Sequence, residues 1–176
     1  MYERYLDSLV PHCGISGMRE MKEHDIDQIY SLQIANHIKY KVHYNFTFDQ
    51  VKQLLTPQEN AVQTLVVENN GMITDYISYS IWDYLKNGDP FKVCELFDYV
   101  HLKTPLRNLI NGMLADAQRK GMKKAQFYNA MENKMVANDK ELGFVRQMNS
   151  FSNLGIYLHN YRALEVKPEE ASLYLR

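Results

Sequence analysis

Hydrophobic and polar positions follow two different periods along this chain. Residues 62–68 (VQTLVVE) and 72–81 (MITDYISYSI) are rich in β-branched and aromatic side chains and flank Asn70-Gly71. A two-residue hairpin turn needs positive φ at both positions, which asparagine and glycine tolerate, so the pattern predicts a hairpin. A third run of the same kind covers 91–101 (FKVCELFDYVH). The period then changes. Through KTPLRNLINGMLADAQRKG, the residues Leu106, Leu109, Ile110, Met113, Leu114 and Ala117 recur at helical spacing. Thr104 is expected as the N-cap, Pro105 as the first helical residue and Gly121 as the stop.

Upstream, 15–21 (ISGMREM) reads as a short strand. Asp25 is expected to cap a helix whose apolar side is Ile26, Ile29, Tyr30, Ile34 and Ile38. Thr47 caps a second helix carrying Phe48, Val51, Leu54 and Leu55, and Pro57 ends it. Downstream come a strand (KAQFYN, 124–129), a short helix (133–140), a strand around GFVRQM and a last strand, NLGIYLHNYR (153–162). The order βααβββαβαββ predicts an α/β (α+β) fold with a mixed, mostly antiparallel sheet flanked by helices. That order is the GNAT-like acyl-CoA N-acyltransferase architecture, expected as a single domain over 1–176.

Composition narrows the function classes. Lys plus Arg number 20 and Asp plus Glu 21 in 176 residues, for a net charge of −1. So balanced a chain has no footprint for nucleic acid. No apolar run approaches the roughly 18–20 residues that cross a bilayer. The N-terminal MYERYLDSLVPH is charged and broken at Pro11, unlike a signal or transit peptide. A cytoplasmic protein is expected, with Cys13 and Cys94 as reduced thiols. Cys94 lies in the apolar FKVCELF, where burial keeps a thiol inert.

The usual acetyltransferase machinery is missing. Enzymes of that kind hold the CoA pyrophosphate on backbone N–H groups of a glycine-rich loop at a helix N-terminus. Here the corresponding junction, DYVHLKTPLRN, has no glycine, and Pro105 removes one donor. Gly112 lies two turns inside the helix. The histidines His12, His24, His37, His43, His101 and His159 are scattered and suggest no metal site. The carboxylate pairs Asp89 with Glu95 and Glu169 with Glu170 are weak candidates for acid–base work. Thirteen tyrosines suit either a groove for an extended peptide or a tyrosine-rich sheet face.

Several segments carry a specific resemblance. TPQENAVQTLVVENNGMITDYISY, TPLRNLI, QRKGMKKAQFYNAMENK and NLGIYLHNYR, in that order, closely resemble the C-terminal half of eukaryotic-type N-myristoyltransferases (glycylpeptide N-tetradecanoyltransferases). The likeness runs from about Gly17 to Arg176, and PQEN (57–60), VVEN (66–69), ITD (73–75) and MENK (131–134) are specific in combination. The resemblance implies two pseudo-symmetric GNAT-like halves. The N-terminal half holds myristoyl-CoA, a co-substrate rather than a cofactor, and supplies the oxyanion hole. The C-terminal half supplies most of the groove for a peptide beginning with glycine. The resemblance makes the chain's terminal carboxylate, here that of Arg176, the base that deprotonates the glycine amine. It implies a groove lined by Tyr79, Tyr84, Gln126, Leu154 and Leu175. Chemically, a glycine amine with pKa near 8 is largely ammonium at pH 7 and cannot attack a thioester. Desolvation raises a carboxylate from about 3.5 toward that value.

The sequence departs from the family in two places. It begins where the second half begins, so myristoyl-CoA is expected on a separate N-terminal half or an improvised site, and an uncovered apolar face is expected to favour such a partner or a homodimer. The glycine-rich KFGxGDG loop is also absent. ELGFVRQMNSFSNLG stands there instead, with Phe151 where the family has an aspartate that reads the peptide. Three readings stay open: an N-myristoyltransferase reduced to its peptide half, a non-catalytic binder of glycine-starting peptides, and a single-domain acyltransferase for a short acyl-CoA.

Overall fold

The computed structural model describes residues 1–7, 14–147 and 165–172. The central sheet is built from β1 (Tyr2–Tyr5), β2 (Met18–Glu20), β4 (Val62–Asn69), β5 (Met72–Lys86), β6 (Asp89–His101), β7 (Lys124–Phe127) and β8 (Val145–Arg146), in the order β2-β4-β5-β6-β7-β1-β8. Neighbours run antiparallel except β6 and β7, which are parallel. A second, two-stranded parallel pair joins β3 (Val42–His43) to β9 (Ala171–Ser172). Helices α1 (Ile26–His37) and α2 (Phe48–Leu55) cover one face, α3 (Leu106–Arg119) the other, and a short α4 (Asn133–Ala137) contacts α3. Each face has its own apolar core. Leu109, Ile110, Met113 and Leu114 pack with Ile77, Tyr79 and Phe127 on one side. Ile29, Val51 and Leu55 pack with Val66, Tyr76 and Val100 on the other.

The meander forms as the pattern requires. Asn70 and Gly71 take φ of 51° and 78°, and Asn87 and Gly88 repeat the device at 55° and 92° between β5 and β6. Thr47 caps α2 by accepting the Gln50 N–H, and the Gln50 side chain accepts the Thr47 N–H in return. Gly121 closes α3 with a left-handed φ of 81°, and its neighbour Met122 donates to the Ala117 carbonyl.

Three local expectations are corrected. Asp25 makes no cap bond to α1. Its carboxylate accepts the Lys22 N–H and pairs with Arg19, whose guanidinium holds it below the usual carboxylate range. The buried side of α1 is also rotated: Ile34 and Ile38 are exposed, whereas Gln33, Asn36 and His37 are buried. A buried carboxylate on β6, Asp98, draws Gln33 and His37 inward. Finally, Pro105 rather than Thr104 is the N-cap of α3, because the Thr104 hydroxyl is taken by Asp75. The last predicted strand, 153–162, lies outside the described residues, as does Cys13.

Candidate functional site

The geometry centres on the place where β6 and β7 part. Their pairing covers only Val93–Glu95 with Lys124–Gln126. Two residues further along β6 the register to β5 shifts, with Ser78 opposite Asp98 but Tyr79 opposite Leu96. Phe97 is thus the extra residue of a β-bulge, a device that bends a strand and re-aims its side chains. In the gap beyond the last pair lies a cavity of about 30 Å³ lined by Glu95, Phe97, Tyr128, Met131 and Asn133, among others.

Side chains of paired residues share a sheet face. Ser80, Glu95, Gln126 and Glu3 therefore form one row across β5, β6, β7 and β1. Lys124, on the same face, donates to Glu3 at 2.9 Å and lies 5.8 Å from the Tyr84 ring. Tyr84 stacks obliquely near Phe91 at 5.9 Å, and Trp82, Tyr84 and Tyr5 remain 38–48% exposed. Gln126 and Tyr84 thus lie on one face of the sheet, Gln126 buried in its polar row and Tyr84 exposed beyond Lys124. Tyr79 does not. It is fully buried on the opposite face beneath α3, with its hydroxyl donating to Asp116 at 2.8 Å. The expectation that it lines the groove is corrected, because a tyrosine on an odd-numbered position of β5 points into the α3 core. Leu154, Leu175 and Arg176 lie outside the described residues.

The carboxylate pairs also resolve. Asp89 opens β6 and Glu95 lies six residues along it, roughly 20 Å away, so they are no pair. Glu95 is instead joined to Gln126, whose amide donates to it at 2.6 Å. Burial pushes its carboxyl above the usual range, against the lowering effects of that bond and of Lys124. Glu170 bonds Lys41 at the surface. Cys94 is completely buried and its thiol is pushed up to about 12 by burial, in line with an inert core cysteine.

Two anchors organise the rest. At the β6–α3 junction, Asp75 Oδ1 accepts the amide N–H groups of Leu102, Lys103 and Thr104 at 2.6, 2.8 and 3.0 Å. Its Oδ2 accepts the hydroxyls of Thr104 at 3.0 Å and Thr74 at 2.7 Å. Burial opposes the charge, but these bonds win and hold the carboxyl below its ordinary value. The donors that a phosphate would need are occupied by the chain's own anion. The second anchor is a buried row in which Ser172 Oγ lies 3.2 Å from His37 Nδ1, and His37 Nε2 lies 3.1 Å from Asp98. Gln33 and Tyr76 also donate to Asp98, at 2.9 and 2.6 Å. The residue types are those of a nucleophilic triad, but all three are at most 2% exposed, and no substrate reaches them. The row fastens β9 to α1. The Met131 N–H adds a bond to the Ala171 carbonyl, so the C-terminal segment is tied to a wall of the cavity. The MENK segment has a further structural role, since Glu132 accepts the Tyr40 hydroxyl and pairs with Lys39.

The family profile described as myristoyl-CoA:protein N-myristoyltransferase, C-terminal domain, matches residues 4–173. The chain belongs to that family. Glycylpeptide N-tetradecanoyltransferase 2 of Danio rerio is 30% identical over 165 residues, which is 91% of this chain and 32% of the relative. The Plasmodium falciparum glycylpeptide N-tetradecanoyltransferase is 27% identical over 167 residues, covering 92% and 39%. The chain therefore spans about a third of the length of these relatives. In structure it is similar to Saccharomyces cerevisiae N-myristoyltransferase with bound myristoyl-CoA, with a TM-score of 0.65 and 19% identity over 73% of this chain and 38% of that one. A predicted acetyltransferase from Clostridium acetobutylicum, solved with acetyl-CoA, gives a TM-score of 0.59 at 14% identity over 78% and 94%. Both likenesses establish the GNAT-like fold of this N-myristoyltransferase-family domain. Among the described residues no helix is long and apolar enough to cross a membrane.

Proposed function

We propose that this chain is the peptide-binding half of a cytoplasmic protein N-myristoyltransferase. The substrate is a polypeptide with N-terminal glycine, laid across the exposed Tyr84 on the sheet face that also carries Lys124 and Gln126. Leu154 and Leu175 complete the apolar wall of that groove. The glycine nitrogen, once deprotonated by the Arg176 carboxylate, attacks the thioester carbon of myristoyl-CoA. The C–S bond breaks, an amide forms, and CoA leaves as the thiol. The observation that supports this reading is the tie between the C-terminal segment and the cavity. Ser172 is held by His37 and Ala171 by Met131, a cavity residue. Four extended residues can span up to about 14 Å, a reach compatible with a terminal carboxylate at the same cavity.

Myristoyl-CoA is held elsewhere, on the half of the family that this chain does not cover, because Asp75 already fills the amide donors at the β6–α3 junction. The partner is that N-terminal half, on the same or a separate chain. Mixing the purified chain with the N-terminal half of the Danio rerio relative, myristoyl-CoA and a GXXXS peptide is expected to release free CoA. One residue appended after Arg176 displaces the carboxylate by about 3.5 Å and is expected to abolish turnover while peptide binding persists. Arg176→Leu is expected to stay within a few-fold of wild type, since only the α-carboxylate acts. Absence of CoA release in the complete mixture, or full turnover in the extended protein, would overturn this reading.

A further inference from the structure

The β5–β6 hairpin runs past both of its neighbours. β4 stops opposite Ser80 and β7 opposite Val93, and the chain from Trp82 to Pro90 is exposed throughout. The hairpin therefore ends as a bare two-stranded ribbon, which is marginal by itself in water. One further bond prolongs each pairing: the Ile81 N–H donates to the Ala61 carbonyl, and the Lys123 N–H donates to the Lys92 carbonyl. These two bonds fix which way the backbone groups face. In an antiparallel strand the N–H and C=O of every second residue point to the same side. Ile81 faces outward on β5, so Asp83 and Leu85 do as well. Lys92 faces outward on β6, so Pro90 does as well. The two edges then differ. Proline offers no N–H, and a proline at an outward position protects an edge from strand addition. Pro90 guards the β6 side in this way. The β5 side has no such guard. Among the described residues no hydrogen bond reaches the outward backbone groups of Asp83 or Leu85. Leu85 is 76% exposed, and the charge of Asp83 is already met by Lys92 at 2.9 Å.

We infer that the β5 edge at Leu85 is a self-association surface, to which a second copy of this chain adds its own β5 edge, antiparallel, about a two-fold axis at Leu85. The two Leu85 residues then face each other and exchange both backbone hydrogen bonds. Tyr84 lies opposite the second copy's Lys86, and Asp83 opposite its Asn87. Charge favours this partner over others. Residues 83–87 hold one anion, Asp83, and one cation, Lys86, so the edge has no net charge and draws neither an anionic nor a cationic surface. Antiparallel self-pairing sets no like charges opposite one another. It sets an ammonium against a phenol ring on each side of the axis, a cation–π pair. Lys86 is on the face this needs, since its Nζ lies 5.5 Å from the Tyr5 ring and Tyr5 shares a row with Lys124. On the other face Leu85 and its cross-strand neighbour Pro90 meet their copies and leave water. A register centred on Tyr84 instead would drive the Asn87 turn into the second copy's Ala61, which already occupies the outward side of Ile81. The contact is short, well under the size of a standard interface, so the association is weak and depends on concentration. It stands without the acyl-transfer reading, because it rests on the backbone edge of the ribbon.

Sedimentation equilibrium of the purified chain tests this without any substrate. The weight-average mass is expected to rise from 20.7 kDa toward twice that value as the concentration is raised to about 1 mM. Leu85→Lys and Leu85→Glu should each remain monomeric, because like charges then face one another across the axis. Mixed in equal amounts, the two variants should associate at least as well as wild type. Leu85→Pro removes the outward N–H without touching the β5–β6 ladder, and should weaken association about tenfold or more with the far-UV circular dichroism unchanged. Val145→Lys, at the opposite edge of the sheet, should leave association as it is. In a mixture of 13C-labelled and unlabelled chains, an intermolecular NOE is expected between the α-protons of Tyr84 and Lys86, a pair whose Cα atoms would lie about 4.5 Å apart. A mass of 20.7 kDa at every concentration, dimers that survive in Leu85→Lys, or a Lys–Glu mixture that stays monomeric would overturn the inference. Monomers whose Asp83 and Leu85 amides gain exchange protection from a GXXXS peptide or from an N-terminal half would give the edge to that partner and overturn it equally.

Discussion

Replacing Asp75 by alanine removes the anion around which the β6–α3 junction is organised. In the wild type its carboxylate takes three backbone N–H groups and two hydroxyls and is itself fully buried. Each buried donor left without an acceptor is worth about 1–3 kcal/mol. Three amides give roughly 3–9 kcal/mol, and water entering the vacated space moves the loss toward the lower end. An expected loss of about 3–5 kcal/mol is a large part of the 5–15 kcal/mol that ordinarily holds a domain together. Urea unfolding at pH 7, followed by far-UV circular dichroism, measures it directly, and the melting temperature should fall by about 10 °C. The pH dependence has a definite sign. The folded-state pKa of Asp75 is depressed, so its contribution is complete above the unfolded value near 3.9 and disappears as pH falls through the folded value. The gap between wild type and Asp75→Asn should therefore narrow below about pH 4. A loss under about 1 kcal/mol for Asp75→Ala, or a gap that widens in acid, would show that these bonds do not organise the junction.

Two further substitutions test other parts of the scaffold. Asp98→Ala leaves Gln33, His37 and Tyr76 without their common acceptor and is expected to destabilise the protein by about 2–4 kcal/mol, with increased hydrogen exchange at Ala171 and Ser172 because His37 is no longer oriented toward Ser172. Gly17→Ala places a Cβ 2.0 Å from the Glu68 carbonyl oxygen at a φ of 77°, so β2 should detach from β4, with a loss of about 2 kcal/mol or more in the same urea assay.

What the sequence disclosed depended on the range of the interaction. The Asn70-Gly71 hairpin, the Thr47 cap and the Gly121 stop are decided by neighbouring residues, and all three are found as read. Asn87-Gly88 carries the same signal and could have been read in the same way. The buried side of α1 was not legible, because Gln33 and His37 turn inward only to meet Asp98, more than 60 positions away. Thr104 looked like a cap because its rival partner, Asp75, is 29 residues upstream. In the candidate site, Gln126 and Tyr84 were indicated by resemblance and do share a face with Lys124 between them. Tyr79 had the right residue type on the wrong face, a matter of strand parity that the resemblance did not fix.

The position of β1 has a consequence for how the chain acquires its fold. β4, β5 and β6 are joined by two-residue turns, so their contacts close short loops and can form as soon as that stretch is synthesised. β1 is different. Tyr2–Tyr5 pairs with Lys124–Phe127 and then with Val145–Arg146, partners more than 115 residues downstream. Until those segments leave the ribosome, the first strand has no edge to join, and β7 would likewise present an open edge on emergence. The meander with α1 and α2 should thus reach protection from hydrogen exchange early, and β1 should gain it last. The far end of the sheet, which carries Glu3, Lys124 and Gln126, would then be completed only in the final step of folding.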